Sequence, residues 1–130
     1  MSKNDAIDFS GSNVKLEKIY IHGSGDKGIS VGEGSTLNGQ DIIIENSKIG
    51  IASKDASDVY LDNVTINNVD IGLAAYIKKI EYGSPQIKVS NIQLENYKYD
   101  YISDLRSQII IDDKKIKNTD CKENMEICSF

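Results

Sequence analysis

A glycine recurs every 22 residues within a similar local phrase: Gly28 in DKGISVGEGS, Gly50 in KIGIASKDAS and Gly72 in DIGLAAYIKK. A fixed spacing in the low twenties, combined with strand-forming residues, is typical of a solenoid in which each repeat forms one turn. The spacing therefore predicts a stack of similar coils, and it constrains the fold more strongly than any other feature of the chain.

Each repeat contains three short runs in which apolar and polar residues alternate, the pattern of a strand with one buried face. When the repeats are aligned, the runs form three columns of like residues: Ile7, Ile29, Ile51 and Leu73; Val14, Leu37, Val59, Ile87 and Ile109; Ile19, Ile42, Val64 and Ile92. Such columns are what parallel, in-register stacking requires. We therefore predict an all-β parallel β-helix of about four to five coils of ~22 residues, with three strands per coil. The insertion KKIEYGSPQ lengthens the fourth coil and is predicted to be a loop.

Asparagines occupy one position just after the third strand of successive coils, at Asn46, Asn68 and Asn96. An amide in such a column can hydrogen-bond to the equivalent amide above and below it, which would satisfy polar groups inside a bend. We therefore assign these three residues a structural role as an asparagine ladder.

The register of the repeated glycines continues to Asp100 in the next coil. Gly and Asp both tolerate positive φ better than most residues. The substitution therefore predicts a left-handed backbone at this position and a structural role for Gly28, Gly50 and Gly72.

Charges alternate in sign along another register of the predicted stack, formed by Asp26, Lys48, Asp70 and Lys98. This pattern predicts opposite charges side by side on neighbouring coils, each pair stabilising the register by a few tenths of a kcal/mol.

We assign residues 1–113 to the β-helix and residues 114–130 to a C-terminal cap or tail, because Lys114 and Lys115 interrupt the next apolar column. The N-terminal end has no comparable cap. We expect either that further coils or another domain precede Met1, or that the open N-terminal end self-associates. The tail contains both cysteines, Cys121 and Cys128, which form either a short disulfide or two free thiols.

Composition excludes some classes of partner. A net charge of −5 argues against nucleic acid, because phosphate binding requires a cationic surface. No apolar run approaches the roughly 18 residues that span a bilayer, so we expect no membrane insertion.

The phrases DKGISVGEGS, NSKIGIASKDAS and IGLAAYIKK resemble the right-handed parallel β-helix superfamily, the pectin-lyase-like proteins. More narrowly, they look like β-helix segments of bacterial surface and envelope proteins, including some attached to spore-coat-kinase-like domains. The resemblance implies a right-handed coil, an internal asparagine ladder, and a location at the cell surface or outside the cell.

Enzymes of this superfamily cleave or epimerise acidic polysaccharides, so the resemblance implies that their catalytic motifs could be present in this chain. Polygalacturonase-like members carry Asn-Thr-Asp, an Asp pair, Gly-His-Gly and Arg-x-Lys in that order. Here His22 comes early, the pair Asp112 and Asp113 late, and the triplet 118–120 later still. Because the order is wrong, we do not expect a hydrolase of this type.

Glu33 and Asp55 occupy one register a coil apart, with Lys54 beside Asp55. Two nearby carboxylates could bind Ca²⁺, or one could have a raised pKa and act as an acid, while the lysine acts as a base. These three residues are the candidate catalytic set. The alternative, which we favour, is a solvated acidic turn neutralised by its lysines. No other metal site is predicted.

Tyrosines are concentrated in the second half of the chain, and Tyr76, Tyr82 and Tyr99 are candidate ligand-binding residues. Aromatic rings offer flat surfaces for sugar rings. The alternative is that these tyrosines cover the end of a core.

The sequence therefore favours a non-catalytic β-helix module, part of a larger surface or envelope protein, that acts as a rigid scaffold or binds a polysaccharide or protein without a cofactor. The alternative is a lyase or epimerase acting on uronate-containing glycans, and only this alternative would require Ca²⁺.

Overall fold

A computed structural model describes residues 4–120 and Cys128. The protein is an all-β solenoid of about five turns, and no helix occurs among the described residues. The strands are β1 (Ile7–Ser10), β2 (Asn13–His22), β3 (Lys27–Gly32), β4 (Thr36–Lys54), β5 (Asp58–Tyr76), β6 (Gln86–Ser103), β7 (Gln108–Ile111) and β8 (Lys114–Lys115). The predicted fold class is confirmed.

Parallel pairing at the predicted register connects the coils. Ile29 pairs with Ile51, and Leu37 pairs with Val59. Between β5 and β6 the offset grows, since Leu73 pairs with Tyr101, because the insertion forms the loop 77–85. β4, β5 and β6 are 19, 19 and 18 residues long because each continues through a bend from one column to the next.

The last pair of strands departs from the parallel pattern. Ile110 of β7 pairs with Lys115 of β8 in an antiparallel hairpin. The first residues that we assigned to the tail therefore extend the sheet and occupy the free edge of β7.

The three apolar columns face inward and form one continuous core. Ile29, Ile51 and Leu73 are fully buried, and so are Leu37, Val59, Ile87, Ile42 and Val64 in the other two columns, whereas Ile92 is partly buried. At the N-terminal end, Ile7 and Phe9 are only partly buried. The core is therefore built by stacking coils, and each central coil is covered by its two neighbours.

A second apolar cluster lies on the outward side of the first-column strands. Its buried members are Ile49, Ala52, Ile71, Ala74, Tyr76 and Ile102. Tyr99 and Cys128 pack against it. Cys128 is disulfide-bonded, and the chain's other cysteine, Cys121, lies outside the described residues.

The repeated glycines are required for a different reason from the one predicted. Gly28, Gly50 and Gly72 are not among the residues with positive φ. Instead, a Cβ on Gly50 would lie 2.5 Å from the carbonyl oxygen of Gly72 and 2.9 Å from Ile66 Cδ1. A Cβ on Gly28 would similarly lie 2.7 Å from the Gly50 oxygen, and one on Gly72 would lie 2.6 Å from that of Asp100. The glycines allow close approach of successive coils; the prediction of a left-handed backbone is wrong.

The asparagines after the third column do have left-handed backbones, with φ of 60°, 60° and 53° at Asn46, Asn68 and Asn96. Asn68 Nδ2 donates to Asn46 Oδ1 at 2.6 Å, which is one rung of the expected ladder. Asn96 Nδ2 donates instead to Asn67 Oδ1 at 2.8 Å. Asn68 and Asn96 are exposed, so the ladder follows the outside of the bend and not its interior.

A second column of left-handed residues, between the second and third strands of each coil, was not predicted. Lys18, Asp41, Asn63 and Asn91 have φ between 55° and 58°. Asn63 Nδ2 donates to Asp41 Oδ1 at 2.7 Å. This position is occupied by Lys, Asp, Asn and Asn in successive coils, so alignment of like residues reveals it only in the last two.

The alternating charges do not form the predicted pairs. Among the described residues, no ion pair within 4.0 Å connects two members of the register, and Asp26 pairs instead with the adjacent Lys27 at 2.8 Å.

We predict that Gly50→Ala lowers the free energy of unfolding by about 3 kcal/mol, because the added methyl group overlaps the Gly72 carbonyl and Ile66. Urea denaturation measures the change. Gly83→Ala is the matched control: its Cβ would meet nothing closer than Ala56 Cβ at 3.8 Å, so its effect should stay within about 0.5 kcal/mol. Equal effects of the two substitutions would contradict the assignment of Gly50 to a close approach.

Candidate functional site

The three candidate catalytic residues lie around one polar cleft of about 190 Å³, which we call the Lys54 cleft. Its charged lining residues are Asp8, Glu33, Lys54, Asp55, Lys78 and Lys79. Glu33 and Asp55 occupy equivalent turns after the first column, each with φ of 49°. The structure therefore brings together the residues that shared a register in the sequence.

Asp55 is 2% exposed, and one of its carboxylate oxygens binds the backbone of the insertion loop. Its Oδ1 accepts hydrogen bonds from the amide nitrogens of Lys78 and Lys79 at 2.7 and 2.8 Å. A carboxylate used in this way anchors the loop as it leaves β5. The geometry assigns Asp55 a structural role.

Glu33 forms an ion pair with Lys79, which lies two coils away in the sequence. Both side chains are partly exposed. Each candidate carboxylate therefore has its own partner, and no hydrogen bond joins the two. Across the described ranges 4–120 and 128, no group of three or more His, Cys, Asp or Glu residues is arranged to hold a metal ion.

Lys54 is the half-buried cation of the cleft. It lies against Gly32, where an added Cβ would be 3.4 Å from Lys54 Cε and 3.9 Å from its Nζ. Burial lowers the pKa of Lys54; the positive charges of Lys27 and Lys78 lower it further, and the negative charge of Asp8 opposes them. Within the described part of the chain, no acidic group lies within 4.0 Å of Lys54 Nζ.

The three candidate tyrosines differ in accessibility. Tyr76 is 5% exposed within the second apolar cluster, so it offers no ring face to a ligand, and burial raises the pKa of its hydroxyl. Tyr99 packs against the same cluster, with Lys98 Nζ 5.6 Å from its ring centroid. Tyr82 is half-buried in the insertion loop. Ligand binding by Tyr82 and Tyr99 stays a prediction.

Tyr60, which was not among the predicted candidates, lies in the middle of an open surface. We call this surface the Tyr60 face and define it by the outward side chains of the second column: Lys15, Glu17, Asn38, Gln40, Tyr60, Asp62, Lys88 and Ser90. Tyr60 is 39% exposed and pairs in register with Asn38 on one side and Lys88 on the other. Its hydroxyl accepts a hydrogen bond from Gln86 Nε2 at 3.3 Å.

Shallow grooves of about 250 and 180 Å³ flank Tyr60. Gly39 contributes to the first groove, in a register that Leu16 and Leu61 fill in the neighbouring coils. The sequence did contain a signal, because Tyr60 is the aromatic member of an outward register whose other members are Lys15, Asn38, Lys88 and Ile110.

The remaining motif residues have surface or structural positions. His22 is exposed, with Nδ1 3.3 Å from Glu45 Oε2. Asn118 Nδ2 donates to the carbonyl oxygens of Asp104 and Ser107 at 2.7 Å, and thereby secures a turn. The described residues include no helix long and apolar enough to cross a membrane.

Comparison of the chain with protein-family models, with curated proteins and with solved structures finds no match.

We predict that Asp55→Ala lowers the free energy of unfolding by about 3 kcal/mol, because it leaves two amide donors of the insertion loop without their acceptor. Chemical denaturation measures the loss. Asp70→Ala, at an exposed position, is the control and should change stability by less than about 0.5 kcal/mol. A wild-type stability in Asp55→Ala would show that the loop does not depend on this carboxylate.

We predict that Lys54→Met is more stable than the wild type at neutral pH and that the gain shrinks as the pH approaches 10.5. The pKa of Lys54 is lower in the folded state than its ordinary value of 10.5. Between these two pKa values the unfolded chain binds more protons, so wild-type stability rises with pH there, whereas the variant lacks this titration. Urea denaturation of both proteins across this pH range tests the effect, with Lys48→Met as the exposed control. A gain that stays constant or grows with pH would contradict the prediction.

Proposed function

We propose that this chain is a non-catalytic β-solenoid module that binds a glycan on the Tyr60 face and holds that face rigid. The observation that carries the proposal is the position of Tyr60: a partly exposed ring at the centre of a polar surface formed by stacked strands, with a groove on each side. An aromatic ring flanked by hydrogen-bonding side chains suits a sugar, whose ring faces are apolar and whose edges carry hydroxyls.

The side chains around Tyr60 favour a neutral glycan over an acidic one. Asn38 and Gln40 provide amide donors and acceptors beside the larger groove. Lys15 is paired with Glu17 at 3.1 Å, so its charge is largely balanced. Asp62 adds a negative charge on the same side. Such a surface can hydrogen-bond to hydroxyl groups but has little excess positive charge to attract a polyuronate.

The state of the candidate catalytic residues supports a non-catalytic role. Asp55 is buried and occupied by two amide donors, and Glu33 is paired with Lys79. A general acid or a metal ligand must be able to reach substrate or ion. Asp55 does not meet this requirement because it is buried, and Glu33, although partly exposed, is held by Lys79.

One observation favours the alternative of a uronate lyase or epimerase. Lys54 is half-buried, its pKa is lowered, and it lines a cleft. A lysine that acts as a catalytic base has these properties. Incubation with uronate polymers, with and without Ca²⁺, tests this alternative by the formation of unsaturated or epimerised uronate. Product that disappears in Lys54→Gln would establish it.

We further propose that the coil is right-handed, that the chain belongs with the pectin-lyase-like β-helices, and that it works at a bacterial surface or envelope. The parallel stacking and the coil length of about 22 residues support these proposals, together with the general right-handedness of parallel crossover connections. Polysaccharide or protein surfaces remain the expected partners, and no cofactor is part of the proposal.

We predict that Tyr60→Ala weakens binding of the chain to its glycan about tenfold or more, because the ring provides the central apolar contact. The measurement is retention on insoluble cellulose, chitin, xylan and pectate, followed by affinity electrophoresis with the soluble form of the glycan that is bound. Tyr97→Ala is the matched control, since Tyr97 is 48% exposed and lies outside the Tyr60 face.

Retention of the wild type and of Tyr97→Ala, but not of Tyr60→Ala, would support the proposal. Failure to bind any glycan, or equal retention of all three proteins, would overturn it.

A further inference from the structure

We propose that the Lys54 cleft is a binding site for a single oxyanionic group, held between Lys54 and Lys78. This site is separate from the Tyr60 face, and the inference does not depend on glycan binding there. It rests on the charges of the cleft, on the way Lys54 is positioned, and on the size of the space.

Among the residues that the structure describes, two carboxylates and one lysine of the cleft already have partners, whereas two other lysines do not. Glu33 is paired with Lys79, and Asp55 accepts two backbone hydrogen bonds. Lys54 and Lys78 have no ion pair within 4.0 Å in the described part of the chain. The remaining acidic group, Asp8, is exposed. The unpaired charges are therefore two lysines and one exposed aspartate, which leaves an excess positive charge.

Lys54 is positioned by its packing against Gly32 of the neighbouring coil. Gly32 has no side chain, and Lys54 Cε and Nζ lie beside the space that a Cβ would occupy there. The lysine stem is thereby packed along the neighbouring coil and half-buried, so less side-chain entropy is lost when its amine meets a ligand. Ser10, the register partner of Gly32, provides a hydroxyl on the same wall of the cleft.

Another lysine near Lys54, Lys27, already has acidic partners. Lys27 is buried and is neutralised by Asp26 at 2.8 Å and by Asp5 at 3.8 Å. Its charge is therefore already balanced, and its amine is not available to a ligand. Burial and the neighbouring lysines lower the pKa of Lys54, and an anion in the cleft would offset both effects.

The volume of the cleft and its positive charge restrict the kind of ligand that it can bind. A volume of about 190 Å³ accommodates a carboxylate, phosphate or sulfate group together with a few waters, each of which takes up about 30 Å³ in the liquid. A metal cation is disfavoured, because the unpaired lysines repel it and the two inner carboxylates are already engaged. Charge-assisted hydrogen bonds from an amine to an oxyanion are short and stronger than neutral ones.

The test is titration of the ¹⁵N-labelled chain with inorganic phosphate and, separately, with acetate, at constant ionic strength so that general screening does not change. We expect saturable shifts of the amide resonances of Gly32, Glu33 and Gly34. Lys54→Gln should weaken the binding about tenfold, and Lys78→Gln should weaken it in the same direction. Lys48→Gln, at an exposed position away from the cleft, removes the same charge and should leave the binding unchanged.

Saturable binding of either anion, weakened in the variants as described, supports the site. The anion with the higher affinity identifies the preferred group. No saturation with either anion overturns the proposal. Shifts that are equal in Lys54→Gln and in the wild type, or that spread over residues near all the exposed lysines, also overturn it. Folding of each variant is checked by the dispersion of its amide spectrum. Retention on insoluble glycans is measured in parallel, so failure of the anion site and failure of the Tyr60 face are distinguished.

Discussion

Close approach of the backbone at one corner of three successive coils is the constraint on which this solenoid depends. At Gly28, Gly50 and Gly72, the carbonyl oxygen of the next coil lies where a side chain would begin. Because the coils touch at this point, each one must repeat the path of its neighbour, and equivalent residues are placed directly over one another. The buried columns of Ile, Val and Leu then follow, since a shift of one residue would turn every apolar side chain to the outside.

The same stacking explains how a repeated turn becomes a distinct site. Glu33 and Asp55 occupy equivalent left-handed positions, yet their partners differ. The loop 77–85 is inserted after β5, and its first amides bind the carboxylate of Asp55. Lys79 of the same loop reaches Glu33 two coils away. An insertion in one coil therefore closes one side of a cleft that the regular repeat alone would leave open.

The sequence was sufficient to predict the features that depend on like residues at a fixed spacing. Three inward columns, parallel register and the insertion loop all follow from such repetition, as Ile29, Ile51 and Leu73 illustrate. Features that depend on the distance between the backbones of neighbouring coils could not be predicted from the sequence. The sequence indicated that glycine is needed at residue 50, but identified a special φ as the reason where the actual one is contact with the next coil. The partners of Asp55 could not be predicted either, because they lie in the insertion loop, which has no equivalent in the other coils.

The two proposed binding regions affect the stability of the fold differently, and the solenoid accommodates both. Tyr60 lies over strands whose inward neighbours, Val59 and Leu61, are buried in the continuous core, so exposing its ring leaves that packing intact. Lys54 is different: a half-buried amine with no counter-ion destabilises the fold where it stands. In a stack of coils stability is approximately a sum of local terms, so the buried neighbours Ile51 and Ser53 in the same strand can offset such a cost. An anion bound in the Lys54 cleft would supply the missing negative charge and remove the remaining part of that cost.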